Sequence, residues 1–185
     1  MGDSMKKYVI FVIAILAVVV FSSGCTSDSQ NKTYNASGIY FNYPASWQEG
    51  DPSQLLKGEI VYVIDPNSTN SDKATTDTEA TTYAVITSKS LPSGSNLTNY
   101  YNQLVKQGQN YKNYKLVSNK ELSLDGQTAY EIVFTSDLEN NQKSTTQEEI
   151  IERNGKIYTI ECVSTNDTEQ NTANFDLIIN SFKVQ

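Results

Sequence analysis

Histidine is absent from the 185-residue sequence. Its absence removes the usual general base near neutral pH, the commonest zinc ligand and every Ser-His or Cys-His nucleophile pair. Cysteine occurs twice, at Cys25 and Cys162, too rarely to build a disulfide framework. Basic residues never cluster beyond a pair, and 14 Lys and Arg against 21 Asp and Glu leave a net charge of −7, so a phosphate backbone is repelled and nucleic acid is a poor partner. No glycine-rich phosphate loop, nucleophile elbow or metal motif is present. Aliphatic content is low beyond residue 24, but 11 tyrosines and Trp47 lie in that stretch and supply buriable surface for one modest folded core.

One long hydrophobic run is present. Lys6 and Lys7 precede an apolar stretch from Tyr8 to Phe21, which ends in Ser22-Ser23-Gly24 before Cys25. A basic start, a short apolar stretch and small residues describe a signal peptide over residues 1–24. Fourteen apolar residues as a helix span roughly 21 Å, short of the ~30 Å hydrocarbon core, so a permanent transmembrane anchor is the weaker reading. The residues before Cys25 resemble the lipobox of membrane lipoproteins, with Ser22 where an aliphatic residue is usual. The resemblance makes Cys25 the expected lipid attachment site, and an uncleaved signal is the alternative anchor. Residues 25–37, rich in Ser, Thr and Asn, read as a flexible tether. The globular domain is expected over 38–185.

Within that domain, Ile39 to Tyr43 reads as a strand stopped by Pro44, with Trp47 as a core anchor. Glu59 to Asp65 is a second strand. Pro66 to Thr82 has the composition of a long exposed loop, and Tyr83 to Lys89 restores a strand. Leu97, Tyr100, Tyr101, Leu104 and Val105 recur at helical spacing, predicting an amphipathic helix that ends near Gly108. Strands follow over Lys115–Leu122, Gln127–Thr135, Ser144–Arg153 and Lys156–Ser164, the last two joined by Asn154-Gly155, a type I′ hairpin signal. A second helix is expected from about Thr168 to Phe182, capped by Asn166 or Asp167. Cys162 reads as a small buried strand residue, with a bridge to Cys25 as the alternative. The order describes an α+β layered domain, a central antiparallel sheet sandwiched by helices.

The segments Tyr40-Phe41-Asn42-Tyr43-Pro44-Ala45-Ser46-Trp47, Leu124-Asp125-Gly126-Gln127-Thr128-Ala129-Tyr130-Glu131-Ile132, Lys156-Ile157-Tyr158-Thr159-Ile160 and Ile178-Ile179-Asn180-Ser181-Phe182-Lys183 together resemble the PsbP-like family. The resemblance runs from roughly Gly38 to the end of the chain. It implies a central antiparallel sheet between helices and an N-terminal hairpin. Plant members support the oxygen-evolving centre of photosystem II, while many prokaryotic relatives are exported lipoproteins; the metal contacts of the photosynthetic branch involve histidines, so no metal site is carried over to this chain. Fold alone does not supply a function.

Three further patterns bear on chemistry. Asp65, Asn67, Thr69 and Asn70, with Asp72 and Asp77, superficially resemble a calcium loop but lack its glycine and its bidentate glutamate, and read as a solvated loop. Glu148, Glu149, Glu152 and Glu161 fall on adjacent strands and are expected on a solvent-facing sheet surface, with Lys143 and Lys156 close enough to neutralise some of them. Sequons at Asn31, Asn35, Asn67, Asn96 and Asn166 fall in expected loops, the tether or helix starts, as candidate N-glycosylation acceptors on an acidic, archaeal-type surface protein. No catalytic residue, metal or cofactor is assigned. The reading is a non-enzymatic, membrane-tethered lipoprotein on the outer face of the cytoplasmic membrane, serving as an interaction or accessory module for an unidentified protein. The alternative is a solute-binding or carrier lipoprotein, whose apolar pocket between helix and sheet would be lined by Tyr100, Tyr101 or Tyr130.

Overall fold

A computed structural model of the chain describes residues 31–68, 82–138 and 142–185. Ten strands are present among them: β1 (Lys32–Ala36), β2 (Ile39–Tyr43), β3 (Gln48–Glu49), β4 (Glu59–Ile64), β5 (Thr82–Ser90), β6 (Lys115–Leu124), β7 (Gln127–Asp137), β8 (Lys143–Arg153), β9 (Lys156–Ser164) and β10 (Lys183–Val184). Two α-helices accompany them, α1 (Leu97–Gly108) and α2 (Glu169–Ser181). Seven strands form one antiparallel sheet in the order β3-β4-β5-β9-β8-β7-β6, and a small second sheet has the order β1-β2-β10. The α+β class with a central antiparallel sheet holds, but a three-stranded sheet joins α2 in covering one side.

Strand periodicity separates the two sides. Ala84, Ile86, Ala129, Ile151, Ile160 and Cys162 pack with Phe41 and Trp47, and with Phe175 and Ile178 of α2. Ile132, Phe134, Ile150 and Ile157 point the other way and pack with Tyr100, Leu104 and Val105 of α1. Ile150 and Ile151 are neighbours in sequence and both fully buried, which requires cover on both sheet faces. Trp47 is fully buried as expected, its ring edge-on to Phe175 at 6.3 Å. Cys162 is buried and free.

The turns follow their residues. Asn154 and Gly155 both take positive φ, 55° and 74°, the geometry of the tight hairpin between β8 and β9. Asp125 and Gly126 do the same between β6 and β7, at 49° and 71°. Asn96 caps α1 by accepting from the Asn99 N–H at 2.8 Å. At α2 the cap is Thr168 and not Asn166 or Asp167, its Oγ1 accepting from the Asn171 N–H at 3.1 Å. Asp167 instead accepts from the Thr145 hydroxyl at 2.9 Å, which fixes the loop before the helix.

The expected signal segment over 1–24 and the first part of the expected tether, 25–30, lie outside the described residues, but over 31–37 the expectation of a flexible tether ending at a boundary at 38 is corrected. Lys32–Ala36 is a strand, paired in register from Lys32 with Tyr43 to Ala36 with Ile39, and the compact unit begins at Asn31. Its own sequence carries no alternation, because Thr33 and Asn35 are exposed and only Tyr34 is partly covered. The neighbour supplies the order: Tyr34 stacks on Phe41 at 5.3 Å, and Lys32 Nζ donates to the Trp47 carbonyl at 2.6 Å. The N-terminal hairpin implied by the family resemblance is this β1–β2 pair.

Candidate functional site

Of the four carboxylates expected on a solvated surface, Glu149 is wholly buried and Glu148 and Glu161 are half-buried, which corrects the expectation for these three. Adjacent strand residues point to opposite faces, and both faces of β8 lie under a layer. Glu149 shares the α2 side with Glu131, its register partner across β7. It is 0% exposed, and its Oε2 has no hydrogen-bond partner among the described residues. Gln147 Nε2 donates to Glu149 Oε1 at 2.8 Å and approaches Glu131 Oε2 at 3.4 Å, while Glu131 Oε1 meets Lys120 Nζ of β6 at 3.1 Å. A polar row therefore leads from an exposed lysine at the sheet margin to a carboxyl group wholly out of water. Burial lifts the Glu149 pKa to about 8; the Gln147 hydrogen bond and Lys120 oppose the rise, and Glu131 and Asp176 add to it. At neutral pH the group is largely a neutral acid.

Glu148 and Glu161 face the α1 side, directly opposite one another across β8 and β9. Burial and then the Glu161 charge push Glu148 to about 7, with Lys89 in opposition. Burial and Glu59 also raise Glu161. The ion pairs among the described residues are Lys120–Glu131 and Arg153–Asp125, so Lys143 and Lys156 do not neutralise this cluster. Glu152 lies further along β8, beside Asn96, Leu97, Thr98, Gln127, Thr128 and Tyr130 in an open polar groove.

The seam between α1 and the sheet is filled. Tyr101 and Tyr130 stack with centroids 4.5 Å apart, the Tyr130 hydroxyl lies 2.9 Å from Thr98 Oγ1, and Lys89 Nζ sits 4.3 Å from the centroid of the Tyr100 ring. At the start of α1 the open groove beside Tyr130 measures about 360 Å³, and near the helix end lies a slot of about 30 Å³ bordered by Leu104, Tyr111, Tyr114, Phe134 and Glu148. The slot suits about one water molecule. Of the three tyrosines expected to line a pocket, Tyr100 is buried in the seam and Tyr101 stacks on Tyr130, while Tyr130 also borders the open polar groove. Among the described residues no group of three or more His, Cys, Asp or Glu side chains is arranged to hold a metal ion.

The sequons divide differently from expectation. Asn31, Asn67, Asn96 and Asn166 are exposed at element ends or turns, while Asn35 lies within β1 with its side chain also exposed. Cys25 and residues 69–81, with Thr69, Asn70, Asp72 and Asp77, lie outside the described residues. Asp65 Oδ1 accepts from the Asn67 N–H at 2.9 Å, an arrangement that closes its own turn.

The sheet margin at β6 is a feature that sequence reasoning missed. β6 is ten residues long and, among the described residues, has a strand neighbour on one side only, β7. Nine of its ten side chains are exposed or partly so. Val117 is 58% exposed and Leu116 37%, beside Tyr111 at 56% in the loop after α1. Leu116 is the register partner of Phe134, the Tyr111 ring stacks on Phe134 at 5.8 Å, and a shift of register between Leu116 and Ser118 places Val117 at a bulge. The sequence did hold a signal, since Lys115 and Lys120 within a strand and the loss of alternation after Leu116 are marks of an edge.

A family model described as PsbP-like protein matches residues 17–184. No curated protein matches the chain. Among solved structures, cyanobacterial PsbP (CyanoP) from Synechocystis sp. PCC 6803 is 18% identical, covers 89% of this chain and 98% of its own, and superposes with a TM-score of 0.59. LpqN of Mycobacterium tuberculosis, described as involved in cell envelope biogenesis, is 12% identical over 84% of this chain and 91% of its own, with a TM-score of 0.56. The Ran-binding protein Mog1p of Saccharomyces cerevisiae is 10% identical over 84% and 95%, with a TM-score of 0.55. At these identities the likeness is one of fold. The family match spans most of the chain, from within the apolar run to the last strand, and the chain belongs to the PsbP-like protein family.

Proposed function

We propose that this protein is a non-enzymatic interaction module, tethered by a lipid on Cys25 to the outer face of the cytoplasmic membrane. The observation that carries the interaction reading is the β6 margin, a strand with one strand neighbour among the described residues whose Leu116 and Val117 are exposed, as is the nearby Tyr111, on an acidic molecule. Exposed apolar side chains along an unpaired strand edge suit a contact site. The fold fits such a role, as relatives of similar architecture include the Ran-binding protein Mog1p. The carboxylates that could act in acid-base chemistry are poorly placed for it. Glu149 is closed off from solvent, and beside Glu148 there is room for about one water. The carrier reading calls for an enclosed apolar cavity under α1, and the space beside Tyr130 is instead an open, polar groove of about 360 Å³.

The basic pair, apolar run and Ser23-Gly24-Cys25 sequence support export and lipidation. With β1 starting at Lys32, seven residues after Cys25, the domain would stand within roughly 25 Å of the bilayer. Intact mass spectrometry of the protein extracted from membranes of its native host tests the anchor. The expected species begins at Cys25 and carries diacylglycerol-sized mass. An unmodified chain recovered in the soluble fraction would overturn the tether, and a stoichiometric small molecule retained through purification would replace the module with the carrier.

A further inference from the structure

We propose that the β6 margin takes an extended, acidic segment of a partner protein as an eighth strand of the large sheet. The proposal rests on the interaction-module reading and names the chemistry of the partner at that site. From Ser118 to Leu124 the register of β6 with β7 is regular, and among the described residues no backbone hydrogen bond leaves the other side of this stretch. An added strand would satisfy those N–H and C=O groups and cover Val117, Leu116 and Tyr111, which is how strand addition gains affinity.

Charge decides between the occupants. Residues 110–124 hold three lysines, Lys112, Lys115 and Lys120, against one glutamate, Glu121, in a chain whose net charge is −7. Lys120 is already held by Glu131. Lys115 is exposed and has no ion pair among the described residues. A second copy joined edge to edge would bring two lysine-bearing margins to a strand spacing of about 4.8 Å, and like charges across a strand pair are destabilising. An acidic strand gains where that pair loses. The lysines and the bulge at Val117 also blunt an open edge against indiscriminate pairing, and the same lysines favour an acidic strand over a basic one.

The test is hydrogen exchange on the full chain with two ten-residue probe peptides, one alternating valine with glutamate and one alternating valine with lysine. The glutamate peptide is expected to slow exchange of the 118–123 amides about tenfold, less at high salt, and Lys115→Glu is expected to abolish the effect. Lys57→Glu, the same charge change on a distant exposed loop, retains it. Equal protection by both peptides, no protection in 118–123, or full protection in Lys115→Glu overturns the proposal. Protection that appears without peptide and grows with protein concentration overturns it in favour of a second copy. A photocrosslinker at Val117 or at the also exposed Leu56, introduced in native membranes, separates this idea from the module reading. Adducts from Val117 that map to an acidic extended segment support the edge; a defined partner captured from Leu56 alone sinks the edge and spares the module; no adduct from either position counts against both.

Discussion

Glu149 sits wholly out of water with one carboxylate oxygen unpartnered, so its titration is tied to the integrity of the α2 side of the sheet. The folded state holds this proton to about pH 8, whereas an unperturbed glutamate releases it near 4.5. Between those values the folded chain binds more protons than the unfolded one. Stability therefore declines as pH rises through that window, with a slope of at most ~1.4 kcal/mol per pH unit for one such group. Glu148, raised to about 7, adds a second slope in the same direction. Glu149→Gln keeps a donor and acceptor and removes the charge, so urea midpoints measured from pH 5 to pH 9 are expected to flatten and to exceed wild type at the alkaline end. An undiminished slope in that variant would place the titration elsewhere. Gly50 offers a separate test, because a methyl group there would fall 1.7 Å from the Tyr62 ring. That ring is fixed through its hydroxyl, which accepts from the Asp51 N–H at 2.9 Å and donates to Gln54 at 3.1 Å. Gly50→Ala is expected to lower stability by about 1–3 kcal/mol in chemical denaturation. Cys162 is buried, and burial first and then nearby carboxylates push its thiol well above the usual range. A thiol reagent is expected to leave it unmodified in the native protein and to label it on unfolding.

At the scale of elements, local chemistry and tertiary contact divide the control. The Asn154-Gly155 and Asp125-Gly126 turns have the positive φ that their residue types favour, and α1 ends at Gly108 where its apolar stripe ends. Those features were legible because each is decided within a few residues. α2 is capped by the Thr168 hydroxyl, and Thr168→Ala is expected to cost about 1 kcal/mol, read as a lowered thermal midpoint with an unchanged folded-state circular dichroism spectrum. Asn166 and Asp167 are equally good caps by type; the bond from the Thr145 hydroxyl to Asp167, which comes from a strand 22 residues away, takes Asp167 out of contention. β1 was illegible for a similar reason. Its backbone pairing with β2 and the stack of Tyr34 on Phe41 order a stretch whose composition alone reads as a linker. An edge strand such as β6 has the same local sequence logic as a central one, and only the order of strands in the sheet leaves its outer side without a strand neighbour among the described residues.

For the whole molecule, the two-sided burial of the large sheet organises both stability and surface. Trp47 joins the small sheet, α2 and the core of the large sheet, and Trp47→Ala is expected to destabilise by about 3–5 kcal/mol, measured by urea denaturation. The Ile150-Ile151 pair already implied cover on both faces of β8, and with it the burial of Glu149 and the partial burial of Glu148. Alternation of polar and apolar residues was therefore the wrong guide to those glutamates, since a strand between two layers has no solvent face. By itself the sequence determined the antiparallel α+β order, the hairpin turns, the amphipathic face of α1, the resemblance to the PsbP-like family and the lack of histidine chemistry, because periodicity, turn residues and composition act locally or not at all. Only the tertiary structure decided that β1 belongs to the domain, that Glu149 is cut off from water, that Tyr101 stacks on Tyr130 under α1, and that β6 has one strand neighbour among the described residues. Each of these depends on which distant segment lies opposite, and burial, desolvation and strand order are properties of that packing.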